Sequence, residues 1–169
     1  MQYAHIISEM TWSYSRITTF EQCPYRFFLS YLKRLLAEPQ FFSDYGKLMH
    51  HILEKYLKGQ LSQEELTPYY LKQFRQQVRG KAPRQTMLQD YFKQGLQFCR
   101  HCQFPDFHPL AVEKQVDFYI GEKPFTAIID CILQTADGGL VLLDHKSRAL
   151  KPRSGKPHPT KSDQELDQY

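Results

Sequence analysis

Two apolar runs, each interrupted by charge, constrain this chain more than any other feature. Residues 125–133 (FTAIIDCIL) and 139–146 (GLVLLDHK) are rich in Ile, Leu and Val, and residues 136–139 (ADGG) supply a turn between them. Short apolar runs bounded by turn residues are the pattern of paired β-strands. Asp130 lies inside the first run, and Asp144 and Lys146 close the second. A charge among apolar strand residues is unfavourable to bury unless something pairs with it. Two acids and a lysine at matched depth on neighbouring strands therefore predict a charged cluster at one end of a sheet. Such a cluster is suited to hold a divalent cation and activate a water. On spacing alone the other reading stays open: Asp144 and Lys146 as ordinary alternating strand residues, and Asp130 as a strand-end acid.

Ahead of these runs the periodicity is helical. Residues 16–36 place Ile17, Phe20, Phe27, Phe28, Tyr31, Leu32 and Leu35 at spacings near three and four, which is one face of a helix. Ser13 or Ser15 can cap it, and Pro24 splits it in two. A second helix is expected over 45–57, with Leu48, Met49, Ile52, Leu53 and Tyr56 on its apolar face and Gly59 ending it. Two more follow over 62–78 and 85–102, the first opening on the capping-box spacing of Ser62 and Glu65. From Pro109 the period changes to two, so residues 110–120 read as a strand. Residues 151–161, rich in Pro, Lys and Gly, read as a basic loop, and a short helix is expected to start near Ser162.

The expected fold class is α+β (mixed α/β): helices, a meander of three or four strands, then a flanking helix. Residues 1–169 read as one domain, with 1–105 mainly helical and 106–169 carrying the sheet, the basic loop and the start of the last helix. The chain stops at Tyr169 inside that amphipathic pattern, so truncation at the C-terminus is expected.

At 169 residues, 41% hydrophobic and 14% aromatic, the composition excludes a disordered chain and allows a real core. No run of eighteen apolar residues predicts a membrane span, and residues 1–12 lack the layout of a signal peptide. A cytoplasmic location with reduced thiols is expected. The net charge of +4 fits a polyanionic partner. Cys99 and Cys102 make a lone CxxC with His108 nearby; structural zinc sites use four ligands, and without a second pair no zinc is expected.

Further residues sharpen the opening trio. In the run GKLMHHILE, His50 and Glu54 stand one helical turn apart, and Glu113 opens the first strand. Taken singly, these read as a core histidine and a solvated edge acid. Together with the serine-rich start and Cys23-Pro24-Tyr25-Arg26-Phe27-Phe28, they resemble the PD-(D/E)XK nuclease superfamily. The branch they resemble is the RecB-like one, with the RecB and AddB nuclease domains and phage exonucleases. The resemblance covers nearly the whole chain. Residues 13–28 look like that branch's first helix with its CP-aromatic signature. Gly46, His50, Leu53 and Glu54 are similar to its GxxxHxxLE helix, Ile129-Asp130 to its second strand, and Asp144-His145-Lys146 to its DxK.

The resemblance implies a restriction-endonuclease-like core and metal-dependent cleavage of DNA phosphodiesters. His50, Asp130 and Asp144, with the backbone carbonyl of His145, would bind Mg²⁺ or Mn²⁺. Lys146 would position the attacking water, and Glu113 would assist as a ligand or from the outer shell. Arg148, Lys151, Arg153, Lys156 and Lys161 would contact DNA, with Lys33 and Arg34 adding to them. Tyr14, Phe27 and Tyr45 can stack on bases, although aromatics at helical spacing belong more often to a core. DNA is the implied partner, with a helicase or recombination protein as a protein partner; no membrane partner is expected, and nothing in the patterning specifies an oligomeric state.

The chain departs from the pattern in places. Ala127 stands where relatives have glycine. Gln164, Gln168 and Tyr169 are the right types for the branch's QxxxY element but lack its spacing, so that element is expected beyond Tyr169. Cys23 suits the first ligand of the branch's iron–sulfur cluster, but Cys99, Cys102 and Cys131 are wrongly placed for the rest, and no cluster is expected. The competing reading is a non-catalytic DNA-binding module on the same fold.

Overall fold

The computed structural model describes residues 3–35, 38–102, 109–135 and 137–146. Its helices are α1 (Ala4–Ser8), α2 (Tyr14–Gln22), α3 (Pro24–Phe27), a π-helical turn (Phe28–Leu32), α4 (Phe41–Leu57), α5 (Gln63–Gln77) and α6 (Gln85–His101). Three strands follow: β1 (Pro109–Ile120), β2 (Lys123–Gln134) and β3 (Leu140–Leu143). They pair as an antiparallel meander in the order β1-β2-β3. The expected mixed α+β architecture is the one observed.

Local chemistry sets most boundaries. Ser13 caps α2 by accepting from the Arg16 N–H. Pro24 ends that helix and opens α3 at a first-turn position where its missing N–H costs nothing. Ser62 and Glu65 close a full capping box on α5, with the Ser62 N–H donating to Glu65 Oε2 at 2.8 Å. Gly138, at φ +86°, takes the left-handed turn before β3. The lower half of β2 has no β3 residues beside it. Trp12 fills part of that edge: its N–H donates to the Pro124 carbonyl at 2.7 Å and its carbonyl accepts from Thr126 at 2.8 Å.

The core lies among α4, α5 and α6. Tyr45, Leu48, Met49 and Ile52 from α4 meet Leu66, Tyr70 and Phe74 from α5, and Cys99 and Cys102 close the cluster. Tyr70 donates to the Phe92 carbonyl at 3.0 Å, which satisfies its buried hydroxyl. Its ring lies so close to Gly95 that a β-carbon there would stand 2.5 Å from the Tyr70 oxygen. Glycine at that position is a packing requirement. Phe27 and Tyr45 are core side chains, as helical spacing suggests, whereas Tyr14 is exposed.

All four cysteines are free, with Cys23 exposed and Cys99, Cys102 and Cys131 buried. Burial pushes the Cys99 thiol up to about 12 and the Cys102 thiol up to about 11, and raises Cys131. A raised thiol favours the folded state below the unfolded value and loses that contribution as pH rises through the folded value. Cys99 and Cys102 should therefore support the fold at neutral pH and stop doing so between about pH 9 and 12. Alkylation at pH 8 should modify Cys23 quickly and the other three only on unfolding, as read by mass spectrometry.

Candidate active site

Four elements bring charged groups to one end of the sheet. The pairing of β1 with β2 runs Val112↔Cys131 and then Lys114↔Ile129, which sets Glu113 across from Asp130. The pairing of β2 with β3 ends at Cys131↔Leu143, so the next position carries Asp144 toward Asp130. From α4, His50 reaches over the same end. Its Nδ1 lies 3.7 Å from Glu113 Oε1 and 3.6 Å from Asp130 Oδ1. One ligand atom from each of His50, Glu113 and Asp130 lies within 4.8 Å of the other two. That spacing matches oxygen and nitrogen ligands turned toward a shared cation.

Each of these side chains is held by its surroundings. Asp130, with only 10% of its side chain exposed, accepts a hydrogen bond from the His145 backbone N–H through Oδ2 at 2.6 Å. Its Oδ1 is the oxygen near His50. Glu113 has φ +51°, a left-handed conformation rare for a residue with a β-carbon. Backbone strain of that kind costs about 1–3 kcal/mol and gathers at functional sites. Burial raises the Glu113 carboxyl above its ordinary value, the charge of Asp130 adds to the rise, and His50 opposes it. Crowded acids of this kind gain when a cation arrives between them.

Asp144 and Lys146 are arranged differently from the sequence expectation. β3 ends at Leu143, so both lie in the segment after the strand. Their side chains pair with one another, with Lys146 Nζ 2.8 Å from Asp144 Oδ1 and 2.6 Å from Oδ2. Both are nearly half exposed, and Asp144 is not part of the three-ligand group. The trio read from sequence thus divides into an inner cluster around Asp130 and an outer ion pair. Burial holds His145 below the usual imidazole range, so it stays neutral at pH 7.

Glu54 shares the helix with His50 and lines a cavity with His50 and Glu113, and its charge adds to the rise of the Glu113 carboxyl that burial leads. It pairs with Lys58 at 2.6 Å and lies 3.5 Å from His51 Nδ1. The Lys58 bond keeps its carboxyl below the ordinary range. Tyr69 from α5 meets His51 Nε2 at 3.2 Å, which braces this side of α4. A cavity of about 230 Å³ opens on the other side of His50, between α4 and α6, and reaches Asp144 and Lys146. Gln94 and Phe98 line it from α6. The sequence reading passed over both, because only the packing of α6 against α4 brings them to the site. Arg148, Lys151, Arg153, Lys156 and Lys161, the helix near Ser162 and the QxxxY-like residues lie outside the described residues.

A sheet end that joins acids from successive antiparallel strands to a histidine from a preceding helix defines a class of metal-dependent hydrolase site. The family comparison agrees with that class. Residues 11–168 match the model of the PD-(D/E)XK nuclease superfamily, and the chain belongs to that superfamily. No curated protein sequence matches the chain. Among the described residues, no helix is long and apolar enough to cross a membrane.

The strained glutamate gives a test of the site. Glu113→Gly should relieve the left-handed backbone and the repulsion from Asp130, raising metal-free stability by about 1 kcal/mol. The same change should weaken Mn²⁺ binding. Thermal melts with and without Mn²⁺ check both: the variant should melt higher than wild type in EDTA and gain less from the metal.

Proposed function

We propose that this chain is a RecB-like deoxyribonuclease that hydrolyses DNA phosphodiesters with Mg²⁺ or Mn²⁺. The observation that carries the reading is the meeting of His50, Glu113 and Asp130 at the sheet end, with the Asp144–Lys146 pair beside them. The donor set fits the cation: carboxylate oxygens suit a hard metal, and one imidazole nitrogen suits Mn²⁺ at least as well as Mg²⁺. His50, Asp130 and Glu113 would hold it, with Asp144 and the His145 backbone carbonyl completing the set. When bound, the cation supplies an acidified water and charge neutralisation at the phosphoryl group.

The chain's own groups do the rest. The His145 N–H fixes one oxygen of Asp130, which leaves the other aimed at the cluster. Lys146 would orient the attacking water and stabilise charge growing on the phosphoryl oxygens, with Asp144 holding its ammonium in place. The basic residues Arg148, Lys151, Arg153, Lys156 and Lys161 would neutralise DNA phosphates after the active segment, making binding salt-dependent. In this reading the protein works in the reducing cytoplasm, where its free thiols are at home, and a helicase or recombination protein would deliver its DNA.

Cleavage of labelled linear DNA tests the reading. The expected result is fragmentation in Mg²⁺ or Mn²⁺, none in EDTA, and recovery when the metal is returned. Salt-sensitive DNA binding without cleavage in any divalent metal would instead identify a non-catalytic DNA-binding module.

A further inference from the structure

The cavity between α4 and α6 adjoins the metal cluster and extends beyond it along α6. His50 borders both. Its walls are Met49 and Leu53 from α4 and Phe98 from α6, while Gln94, Asp144 and Lys146 stand around it as polar groups. Met49 and Leu53 are buried and Phe98 is partly buried, so one wall is apolar and flanked by an aromatic ring, while His50, His145 and the Asp144–Lys146 pair make the facing wall polar. Gln94 and Phe98 are four residues apart on α6 and therefore share a face. A ring beside an amide that can both donate and accept suits a flat heterocycle with a hydrogen-bonding edge. About 230 Å³ accommodates one such group and not an extended chain.

We propose that this cavity receives an unpaired nucleobase of the substrate strand, beside the phosphate that is cut. The inference rests on the nuclease reading and adds a substrate class to it: the nucleotide at the site is single-stranded or drawn out of its duplex. Continuity selects this occupant. A phosphate at the His50 cluster leaves its own nucleotide within reach of the adjoining cavity. The Lys146 ammonium at the junction complements the charge of the strand entering there. Phe98 stacks on the base, which tolerates any sequence because every base has a π-face. Gln94 bonds the base edge and adds a preference among bases. A base still paired and stacked in a duplex cannot seat in a recess walled by α4, α6 and the segment after β3, so it must first leave the stack.

Two measurements test the site. In the first, single-stranded oligonucleotides carrying one abasic position, moved stepwise past the cut bond, are cleaved by wild type, Gln94→Ala and Phe98→Leu. An abasic gap at one position should lower wild-type kcat/KM about tenfold, the usual effect of losing one stacked base. Gln94→Ala and Phe98→Leu should each shrink that position's penalty. Gln94 is exposed on α6, so its variant should keep the wild-type melting temperature and covers the case in which Phe98→Leu misfolds. A flat abasic scan in wild type, or a penalty unchanged in Gln94→Ala and in folded Phe98→Leu, would overturn the proposal.

The second measurement separates failure of this site from failure of the nuclease reading. Binding of oligonucleotides with 2-aminopurine at single positions is followed by fluorescence in EDTA, where no metal supports hydrolysis. A fluorescence change confined to one position and lost in Gln94→Ala supports the base site even if no metal yields cleavage. Equal fluorescence at all positions overturns the base site even if cleavage proceeds.

Discussion

Asp130→Asn is expected to lower kcat/KM on linear DNA by about a thousandfold or more, the scale for removing a group that organises charge at the reacting centre. Asparagine keeps the size of the side chain. Its carbonyl oxygen can still accept the His145 N–H that Asp130 Oδ2 accepts at 2.6 Å. The negative charge facing His50 and Glu113 is lost. The fold should survive, because removing one of two crowded acids relieves the repulsion that adds to the effect of burial on the Glu113 carboxyl. Cleavage rates and thermal melts of the same preparation check the pair of outcomes. A variant that melts like wild type and cuts like wild type would show that Asp130 has no part in the chemistry.

Lys146→Ala carries the second large effect. Its ion pair with Asp144 is nearly half exposed on both sides, and exposed pairs contribute about 0–1 kcal/mol to stability. Loss of the lysine should therefore leave the melting temperature almost unchanged. On the proposed role of Lys146 beside the reacting phosphoryl, activity should fall about a hundredfold to a thousandfold. Lys146→Arg should recover only part of this, because the planar guanidinium cannot reproduce a compact ammonium. The decisive comparison is kcat against KM. A loss confined to KM would assign Lys146 to DNA binding, whereas a loss in kcat places it at the reacting centre.

Much of the architecture was legible because it follows local rules. Pro24 interrupts the first long helical pattern as expected, and Ser62 with Glu65 starts α5. The apolar runs around Asp130 and before Asp144 became β2 and β3, joined through Gly138. Other boundaries moved for reasons beyond local pattern. α4 begins at Phe41 rather than near Tyr45. Phe41 is buried there, and Asp44 in the first turn accepts from the Gly80 N–H at 2.8 Å. Those contacts join residues far apart in sequence, as does the Trp12 bridge to β2. The helix Ala4–Ser8 carried no signal that periodicity detects, and nothing in the helical pattern of residues 16–36 marked the π-helical turn at Phe28–Leu32.

The site divided in the same way. His50, Glu113 and Asp130 could be singled out by residue type and order, and they do meet. That Asp144 would pair with Lys146 was not readable, because it depends on where β3 stops. The left-handed backbone of Glu113 is likewise imposed by tertiary packing, against the preference of a residue with a β-carbon. Gln94 and Phe98 look on sequence like ordinary residues of an amphipathic helix. Only the approach of α6 to α4 gives them a common cavity with His50.

The central claim is that His50, Glu113 and Asp130 together hold a catalytic divalent cation. Titration of Mn²⁺ into wild type and Asp130→Asn, with free Mn²⁺ read by electron paramagnetic resonance, tests it most directly. Wild type should bind Mn²⁺ saturably, Mg²⁺ should displace it, and Asp130→Asn should lose that binding while remaining folded. Equal Mn²⁺ binding by folded wild type and folded Asp130→Asn would contradict the account.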